Sequence, residues 1–279
     1  MPTVQTSGVE TYYERRGTGP PVVFVHGAIV DHGQWTPQLE ALADEYETVA
    51  YDVRGHGRTG GSGLDRYTLE LLADDLDALV RALELDRPVI CGLSLGGCIA
   101  QQYATSYPDR LSGLVLADTF TPGEWRWPER LRWAMLRASI PLTRLVGYQR
   151  VEKAMVWLQE QVGGERASGD YERIERLRAT GPTMETGEFA KVIRTLLDVP
   201  REAIDLSSVS VPTLVIYGEH DLGFVKRHAA KMAAEIPDVR LVEIPGGAHV
   251  SNLDEPEFFT DALRTFLRDR VDGEPGSDG

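Results

Sequence analysis

The sequence predicts an α/β fold, with a mostly parallel sheet flanked by helices and a helical cap inserted into it. Short apolar segments rich in β-branched residues alternate with longer segments of helical periodicity, which is typical of a parallel sheet covered on both faces. This alternation stops after residue 118 and resumes at residue 212. At 279 residues, 42% hydrophobic and 26% charged, the chain has the size and composition of one large domain with a small insertion.

Seven segments are predicted strands because their patterns are apolar or alternating. The segment PVVFVH is apolar almost throughout, as expected of a buried parallel strand. Helices are predicted over 69–85, where apolar residues recur at helical spacing, and over 95–107, between two strands. The predicted strands are 9–15, 21–26, 47–51, 88–93, 111–117, 212–218 and 239–244.

The region 121–206 is predicted to be an all-helical cap over the carboxyl edge of the sheet, where sheets of this kind place their sites. Residues 1–120 and 207–270 would form the core, and the polar residues 271–279 a disordered tail. Four of the five tryptophans lie in the cap, where they either line an apolar pocket or form the cap's own core. The candidate substrate-binding residues are Trp35, Trp125, Trp133 and Trp157.

Charge and cysteine content exclude several classes of function. The net charge of −14 argues against a nucleic-acid partner, because phosphate binding requires clustered lysines and arginines. No secretory signal pattern opens the sequence, and no apolar run approaches the roughly 20 residues that cross a bilayer, so we expect a cytoplasmic protein with no membrane partner. Cys91 and Cys98 fall in predicted core, so a disulfide framework is not expected.

Among the cations, arginine greatly outnumbers lysine. An acidic, lysine-poor composition is typical of salt-adapted, halophilic proteins, in which excess charge maintains solubility. It is equally typical of genomes that favour arginine codons. The sequence leaves both interpretations open.

The segment Gly92-Leu93-Ser94-Leu95-Gly96 matches the G-x-S-x-G elbow that presents a nucleophilic serine. A predicted strand runs into it and a predicted helix runs out, as that turn requires. The glycines permit a close approach of strand and helix, and the helix N-terminus favours developing negative charge. We therefore predict Ser94 as the nucleophile, the alternative being a glycine cluster with an incidental serine.

A serine hydroxyl needs a base, and the base needs a carboxylate that fixes its tautomer. His249 is the predicted base, because its glycine-rich loop follows a strand and emerges at the same sheet edge as Ser94. Asp221, which follows the strand PTLVIYG, is the predicted acid, and the chain order serine, aspartate, histidine fits an elbow of this kind. Glu219 and Asp118 remain alternatives for the acid.

Negative charge on a reacting carbonyl oxygen needs backbone N–H donors already in place. The residue after the nucleophile, Leu95, would supply one, and Ala28, in the turn after the strand PVVFVH, the other. No metal-ligating cluster or phosphate-binding glycine loop is evident, so neither a metal nor another cofactor is expected.

At this point the sequence resembles the α/β-hydrolase family over nearly the whole chain outside the cap. The motifs are HGA at 26–28 with Asp31 and Trp35 behind it, DVRGHG at 52–57, GLSLGG at 92–97 and GAH at 247–249. The stretch AHVSNL and the following Glu-Pro are most similar to the 3-oxoadipate enol-lactonase and small arylesterase branch. The resemblance implies an eight-stranded, mostly parallel sheet with a cap between strands six and seven. It also implies that Asp52 and Arg54 brace loops.

The resulting functional hypothesis is hydrolysis of a small-molecule carboxylic ester or lactone through an acyl-enzyme on Ser94. Haloalkane dehalogenases and epoxide hydrolases are excluded, since they need an aspartate nucleophile. Three alternatives remain: a carbon–carbon bond hydrolase of a ring-cleavage product, an incidental perhydrolase, and a small-molecule receptor that retains the triad. The sequence indicates no natural substrate, pathway or oligomeric state.

Overall fold

Eight strands form one sheet in the structure, a computed structural model that describes residues 2–122, 125–151, 184–202 and 204–271 and a few isolated positions from 153 to 182. The strands are β1 Thr3–Gln5, β2 Glu10–Arg16, β3 Pro21–Val25, β4 Glu47–Tyr51, β5 Val89–Leu93, β6 Gly113–Ala117, β7 Thr213–Gly218 and β8 Val239–Ile244. Their order across the sheet is β1-β2-β4-β3-β5-β6-β7-β8. The pairs β1–β2 and β2–β4 are antiparallel, and all other neighbours are parallel.

The predicted α/β fold with a mostly parallel, eight-stranded sheet is confirmed. No pattern in the sequence indicates β1, a three-residue strand at the edge of the sheet. Each of the other strands overlaps a predicted segment. Their ends differ from the predicted ones by at most two residues, which is the ordinary uncertainty of boundaries read from pattern.

Helices cover both faces of the sheet because alternate side chains of each strand point to opposite faces. In β3, Val23 and Val25 pack against one hydrophobic cluster, and Val22 and Phe24 against the other. The described helices are α1 Thr36–Leu42, α2 Leu69–Ala82, α3 Leu95–Ser106, α4 Trp127–Val146, α5 Thr186–Asp198, α6 Gly223–Glu235, α7 Ser251–Asp254 and α8 Pro256–Phe266. Most helical side chains of the first cluster come from α2, α3 and α6, and most of those of the second come from α1 and α8.

Helices α4 and α5 lie between β6 and β7 in the chain, inside the segment predicted as a cap. The described part of that segment contains no strand. A small apolar cluster joins the two helices, and the indole N–H of Trp133 donates to the carbonyl of Leu196 at 3.2 Å. The side chain of Ile29, in the loop after β3, packs against this cluster, so α4 and α5 contact the carboxyl edge of the sheet.

Two further expectations concern the ends of the chain and membranes. Apart from Val271, the predicted tail lies outside the described residues. Within the described part of the chain, no helix is both long and apolar enough to cross a bilayer.

Candidate active site

Ser94 occupies the sharp turn between β5 and α3. Its backbone adopts φ 54° and ψ −115°, a conformation that is strained for a residue other than glycine. A Cβ on Gly92 would collide with the carbonyl of Gly96, and one on Gly96 with the carbonyl of Val25. Only glycine therefore permits this crossing of strand and helix, which holds the serine hydroxyl at the carboxyl edge of the sheet.

Three side chains form a hydrogen-bonded chain at this edge. The Ser94 Oγ lies 3.1 Å from the His249 Nε2, and the His249 Nδ1 lies 3.0 Å from the Asp221 Oδ1. Because the Asp221 carboxylate can only accept a hydrogen bond, the proton of a neutral imidazole lies on Nδ1. The Nε2 atom is then free to accept a hydrogen bond from the serine hydroxyl. The structure thus brings together all three residues that the sequence predicted as nucleophile, base and acid.

The charges around His249 set its proton affinity. Burial acts to lower the pKa of the imidazole, but the negative charge and hydrogen bond of Asp221, with a further contribution from Asp118, raise the pKa above its ordinary value. The His249 side chain is 24% exposed, whereas that of Asp221 is fully buried. The imidazole is therefore partly accessible, while its carboxylate partner is held in the interior.

Asp118 and Glu219, the two alternative acids, make other contacts. Asp118 accepts from the Gly218 N–H at 3.0 Å and from the N–H and hydroxyl of Ser251 at 2.9 and 2.7 Å. Burial, followed by the charge of Asp221, raises the pKa of Asp118 to about 8. Glu219 is exposed and accepts from the Gly246 N–H at 3.0 Å. Asp221, by contrast, is hydrogen-bonded to the imidazole of His249.

Of the two residues predicted to supply oxyanion donors, Leu95 directly follows the serine and Ala28 lies in a loop beside it. Leu95 is the first residue of α3, so no carbonyl of its own helix can accept its N–H. The loop that carries Ala28 approaches the serine closely, since a Cβ on Gly27 would lie 3.6 Å from the Ser94 Cβ. Neither N–H donates to another backbone carbonyl within the described residues.

Buried amide side chains that the sequence analysis did not single out hold this loop. The Gln34 Oε1 accepts from the Gly27 N–H at 2.8 Å. Asn252, three residues after the histidine, donates to the Gln34 carbonyl at 3.0 Å and to the Gln38 Oε1 at 3.1 Å. A buried amide must find hydrogen-bond partners, but the sequence around these residues, DHGQWTPQLE and HVSNLDEP, is largely polar and gives no sign of their burial.

The remaining motif residues brace loops. The His26 Nε2 accepts from the Val53 N–H at 3.0 Å, and burial lowers the pKa of His26 to about 4. Arg54 forms a buried two-bond ion pair with Asp75, at 2.7 and 2.6 Å. These contacts fix the backbone beside the site and leave the side chains no part in proton transfer.

One group of side chains has the composition of a metal site. Ligand atoms of Asp31, His32 and Asp52 lie within 4.8 Å of one another. The Asp52 carboxylate, however, already accepts from the His32 Nδ1 at 2.6 Å and from the N–H groups of His32 and Arg58 at 2.9 and 2.7 Å. These hydrogen bonds account for the cluster as a brace between two loops, so we assign it no metal.

The four candidate substrate-binding tryptophans lie in different environments. Trp35 is fully buried, with its ring centroid 5.0 Å from that of Phe24 and 5.9 Å from that of Phe259. It has no surface left for a substrate, so its assignment to the substrate-binding set is corrected to a core residue. Trp157 is 60% exposed.

Trp125 and Trp133 pack against each other at 4.4 Å between ring centroids, and both contact Phe120 and Phe224. They also line a groove of about 360 Å³ between α4 and the end of α5. None of the three hydrogen-bonded residues of the site lines that groove. The other lining residues are Arg130, Ala134, Arg137, Leu197, Pro200 and Arg201.

Comparison with known proteins adds the family. A family model of the alpha/beta hydrolase fold matches residues 20–256. A putative carbamate hydrolase, RutD, from Rhizobium rhizogenes is 31% identical over 245 residues, which cover 85% of this chain and 88% of the relative.

Two solved structures are similar over almost their full length. A thermophilic esterase from Thermogutta terrifontis has a TM-score of 0.79 and 29% identity, covering 95% of this chain and 97% of that one. An enol-lactonase from Burkholderia xenovorans LB400 has a TM-score of 0.80 and 25% identity, covering 96% and 100%. The resemblance inferred from the motifs is confirmed. Because the family model spans most of its length, this chain belongs to the α/β-hydrolase family and is a hydrolase.

Proposed function

We propose that the protein cleaves a carboxylic ester or lactone through an acyl-enzyme formed on Ser94. The observation that carries the proposal is the continuous hydrogen-bonded chain from the Ser94 Oγ through His249 to Asp221, at 3.1 and 3.0 Å. This is the spacing at which a base removes the proton of a hydroxyl nucleophile.

In the first half of the reaction, the Ser94 oxygen attacks the acyl carbon while its proton passes to the His249 Nε2. The carbonyl oxygen becomes an anion that accepts from the N–H groups of Ala28 and Leu95, and each such donor contributes ~3 kcal/mol to transition-state stabilisation. The imidazolium then gives its proton to the leaving oxygen, and the acyl group remains on the serine. Asp221 stays ionised throughout and stabilises the imidazolium.

In the second half, a water molecule takes the place of the leaving group. Its proton passes to His249, its oxygen attacks the acyl carbon, and the tetrahedral intermediate collapses to release the acid and restore the serine hydroxyl. For a lactone, the leaving oxygen and the acyl group belong to one molecule, so the product is a hydroxy acid.

The names of similar proteins support this reaction class. They include a carbamate hydrolase, an esterase and an enol-lactonase, and each name describes cleavage at a carbonyl carbon bonded to a heteroatom. Fold alone would not carry the proposal, because this scaffold hosts many chemistries.

The test is hydrolysis of p-nitrophenyl acetate and butyrate by the wild type and by Ser94→Ala. We expect turnover in the wild type and a loss of about 10⁴-fold or more in kcat for the variant. The matched control is Ser106→Ala, at an exposed position at the end of the same helix, which should retain wild-type rates.

A fluorophosphonate probe followed by peptide mass spectrometry should place the adduct on Ser94. Equal rates in wild type and Ser94→Ala would refute the proposal. Silence of the wild type towards both esters, with normal labelling by the probe, would favour the carbon–carbon hydrolase or the receptor instead.

A further inference from the structure

We propose that Ile29 is a positioning residue: its contact with helices α4 and α5 holds the backbone N–H of the neighbouring oxyanion donor, Ala28, in place. The packing of these two helices on the sheet then controls how well the site stabilises the reacting oxygen. The inference rests on the proposed function, because the role of Ala28 belongs to that proposal. It concerns a side chain that neither the hydrogen-bonded chain from Ser94 nor the oxyanion donors include.

The first support is the backbone conformation of Ile29. Its φ is 65°, in the left-handed region, where a β-branched residue is rarely found because its Cβ crowds the adjacent peptide groups. Five non-glycine residues in the described part of the chain have a positive φ, and Ile29 is the only β-branched residue among them. A conformation of this kind persists only where its surroundings hold it, and such conformations recur at functional sites.

The second support is the contact that holds this residue. The Ile29 side chain packs against the apolar cluster that joins α4 to α5. Of the described side chains that form or contact this cluster, Ile29 is the one from outside the segment 121–206. Ile29 also lines a small cleft together with Tyr148 and Met184 of that segment. The buried members of the cluster are Ile140, Tyr148, Phe189, Ala190, Ile193 and Leu197.

The third support is the path of the loop after β3, in which three consecutive side chains pack in three different places. Ala28 packs against the cluster on one face of the sheet, and Val30 packs against the cluster on the opposite face. Ile29, between them, packs against α4 and α5. On the other side of Ala28, the Gly27 N–H donates to the Gln34 side chain at 2.8 Å.

Ala28 therefore lies between an anchor in the core, at Gly27, and an anchor on α4 and α5, at Ile29. If the second anchor is lost, Ile29 can relax to the negative φ that a β-branched residue prefers. Because Gly27 and Val30 remain held, the compensating rotation falls on Ala28, whose N–H then changes direction.

A change in the direction of an oxyanion donor affects the rate strongly. The loop lies close to the nucleophile, since a Cβ on Gly27 would lie 3.6 Å from the Ser94 Cβ. A donor stabilises the anion only at hydrogen-bond distance from the oxygen, and loss of one donor costs about 10²–10³-fold in kcat. The hydrogen bonds of Ser94 and His249 do not involve Ile29, so its replacement should leave the nucleophile and the base unchanged.

The experiment compares the wild type with three replacements of Ile29 on p-nitrophenyl acetate. Ile29→Ala loses the contact with α4 and α5 but keeps a Cβ that disfavours a positive φ. We expect its kcat to fall at least about 10-fold, with KM changed less than about 3-fold. Ile29→Val keeps most of the contact and should stay within about 3-fold of the wild-type kcat. Ile29→Gly loses the contact, but glycine adopts a positive φ without strain, so its kcat should lie above that of Ile29→Ala.

The order of the alanine and glycine variants separates positioning from packing. A side chain that only fills space becomes worse as it becomes smaller, which places glycine below alanine. A side chain that holds a strained backbone predicts the reverse order. The matched control is Leu136→Ala, which removes an aliphatic side chain from the same cluster at a residue of α4. This control should keep kcat within about 3-fold of the wild type.

An unchanged kcat in Ile29→Ala, a lower kcat in Ile29→Gly than in Ile29→Ala, or an equal loss in Leu136→Ala would overturn the inference while leaving the hydrolase intact. Thermal midpoints of all variants should lie above the assay temperature, so that a loss of kcat cannot be assigned to unfolding.

Binding of a trifluoromethyl ketone gives a second readout that needs no turnover. The Ser94 oxygen adds to the carbonyl carbon of the ketone, the serine proton passes to His249, and the carbonyl oxygen becomes the anion that the donors bind. The dissociation constant, measured by calorimetry, should rise at least about 10-fold in Ile29→Ala and stay near the wild-type value in Leu136→Ala.

This second readout separates the failure of the two proposals. If no ester is hydrolysed but ketone binding depends on both Ser94 and Ile29, the positioning role stands and the ester chemistry fails. If ketone binding depends on Ser94 but not on Ile29, the positioning role fails alone. If the ketone does not bind the wild type, or binds Ser94→Ala equally well, the proposed function fails and the inference fails with it.

Discussion

The carboxyl edge of the sheet and helix α4 differ in how firmly their side chains are held. At the sheet edge, Asp118 accepts three hydrogen bonds, and the Thr119 hydroxyl donates to the Ser94 carbonyl at 2.6 Å. On α4, Trp127 and Leu145 are 75% and 82% exposed. The edge is fixed by buried hydrogen bonds that cross between strands, whereas the helix carries large side chains with few partners among the described residues.

This difference indicates a division of work. Groups that must hold a proton or stabilise a developing charge need positions fixed to a fraction of an ångström. Groups that select a substrate tolerate replacement, because each contributes to binding separately. We therefore expect changes at the sheet edge to affect kcat by orders of magnitude, and changes on α4 to affect the preference among substrates.

The largest expected effect separates two carboxylates of the sheet edge. Asp221→Asn should lower kcat by about 10⁴-fold, because an amide favours the wrong tautomer of His249. Asp118→Asn should lower it less than about 10-fold, because the hydrogen bonds of this carboxyl go to Gly218 and Ser251 and not to the imidazole. Steady-state rates of both variants on one ester test this contrast, and similar losses would contradict it.

The next largest effect is on stability, where we compare a buried ion pair of the core with the pair of Arg227 and Glu129, which joins α6 to α4. Asp75→Ala should reduce the free energy of unfolding by about 3–5 kcal/mol, because it leaves the buried charge of Arg54 unpaired. Arg227→Ala should cost less, about 1–2 kcal/mol, since the Arg227 side chain is 40% exposed and the buried Glu129 keeps a hydrogen bond from the Arg126 N–H. Urea denaturation measures both, and equal losses would show that the cap is anchored as firmly as the core.

The smallest expected effect is on pH dependence. Asp221 at the sheet edge and Arg132 on α4 shift the pKa of His249 in opposite directions. With a neutral ester, kcat/KM should fall as pH decreases through the pKa of His249, which lies above its ordinary 6.5. Arg132→Gln removes a charge that lowers this pKa, so the fall should begin at higher pH in the variant. A pH–rate profile from 5 to 9 checks the direction, and a shift towards lower pH would be inconsistent with it.

The candidate catalytic residues of the sheet edge could be predicted from the sequence more completely than the residues that hold them in position. Ser94 and His249 follow predicted strands, and parallel strands end at one edge, so their meeting could be inferred from pattern. Asp118 binds Gly218 across 100 residues and Asn252 binds Gln34 across 218, and no periodicity encodes such pairs. Short edge strands such as β1 also escape detection, because three residues carry no period.

The segment 121–206 illustrates a second reason why the site could not be predicted completely from the sequence. The lack of any strand pattern in 121–206 predicted helices there, but each tryptophan fits a pocket and a core equally well on composition. Trp35 illustrates the same ambiguity in the core, where its ring packs against Phe24 and Phe259. Which side of a helix faces a cavity depends on how neighbouring helices pack, and a single sequence does not specify that packing.

The contacts of Asn252 with Gln34 and Gln38 have a consequence for biosynthesis. They join the loop beside Ser94 to a segment that leaves the ribosome more than 200 residues later, and this segment also delivers His249. A nascent chain that ends before residue 249 therefore lacks both the imidazole that lies beside the Ser94 hydroxyl and the amide that holds this loop.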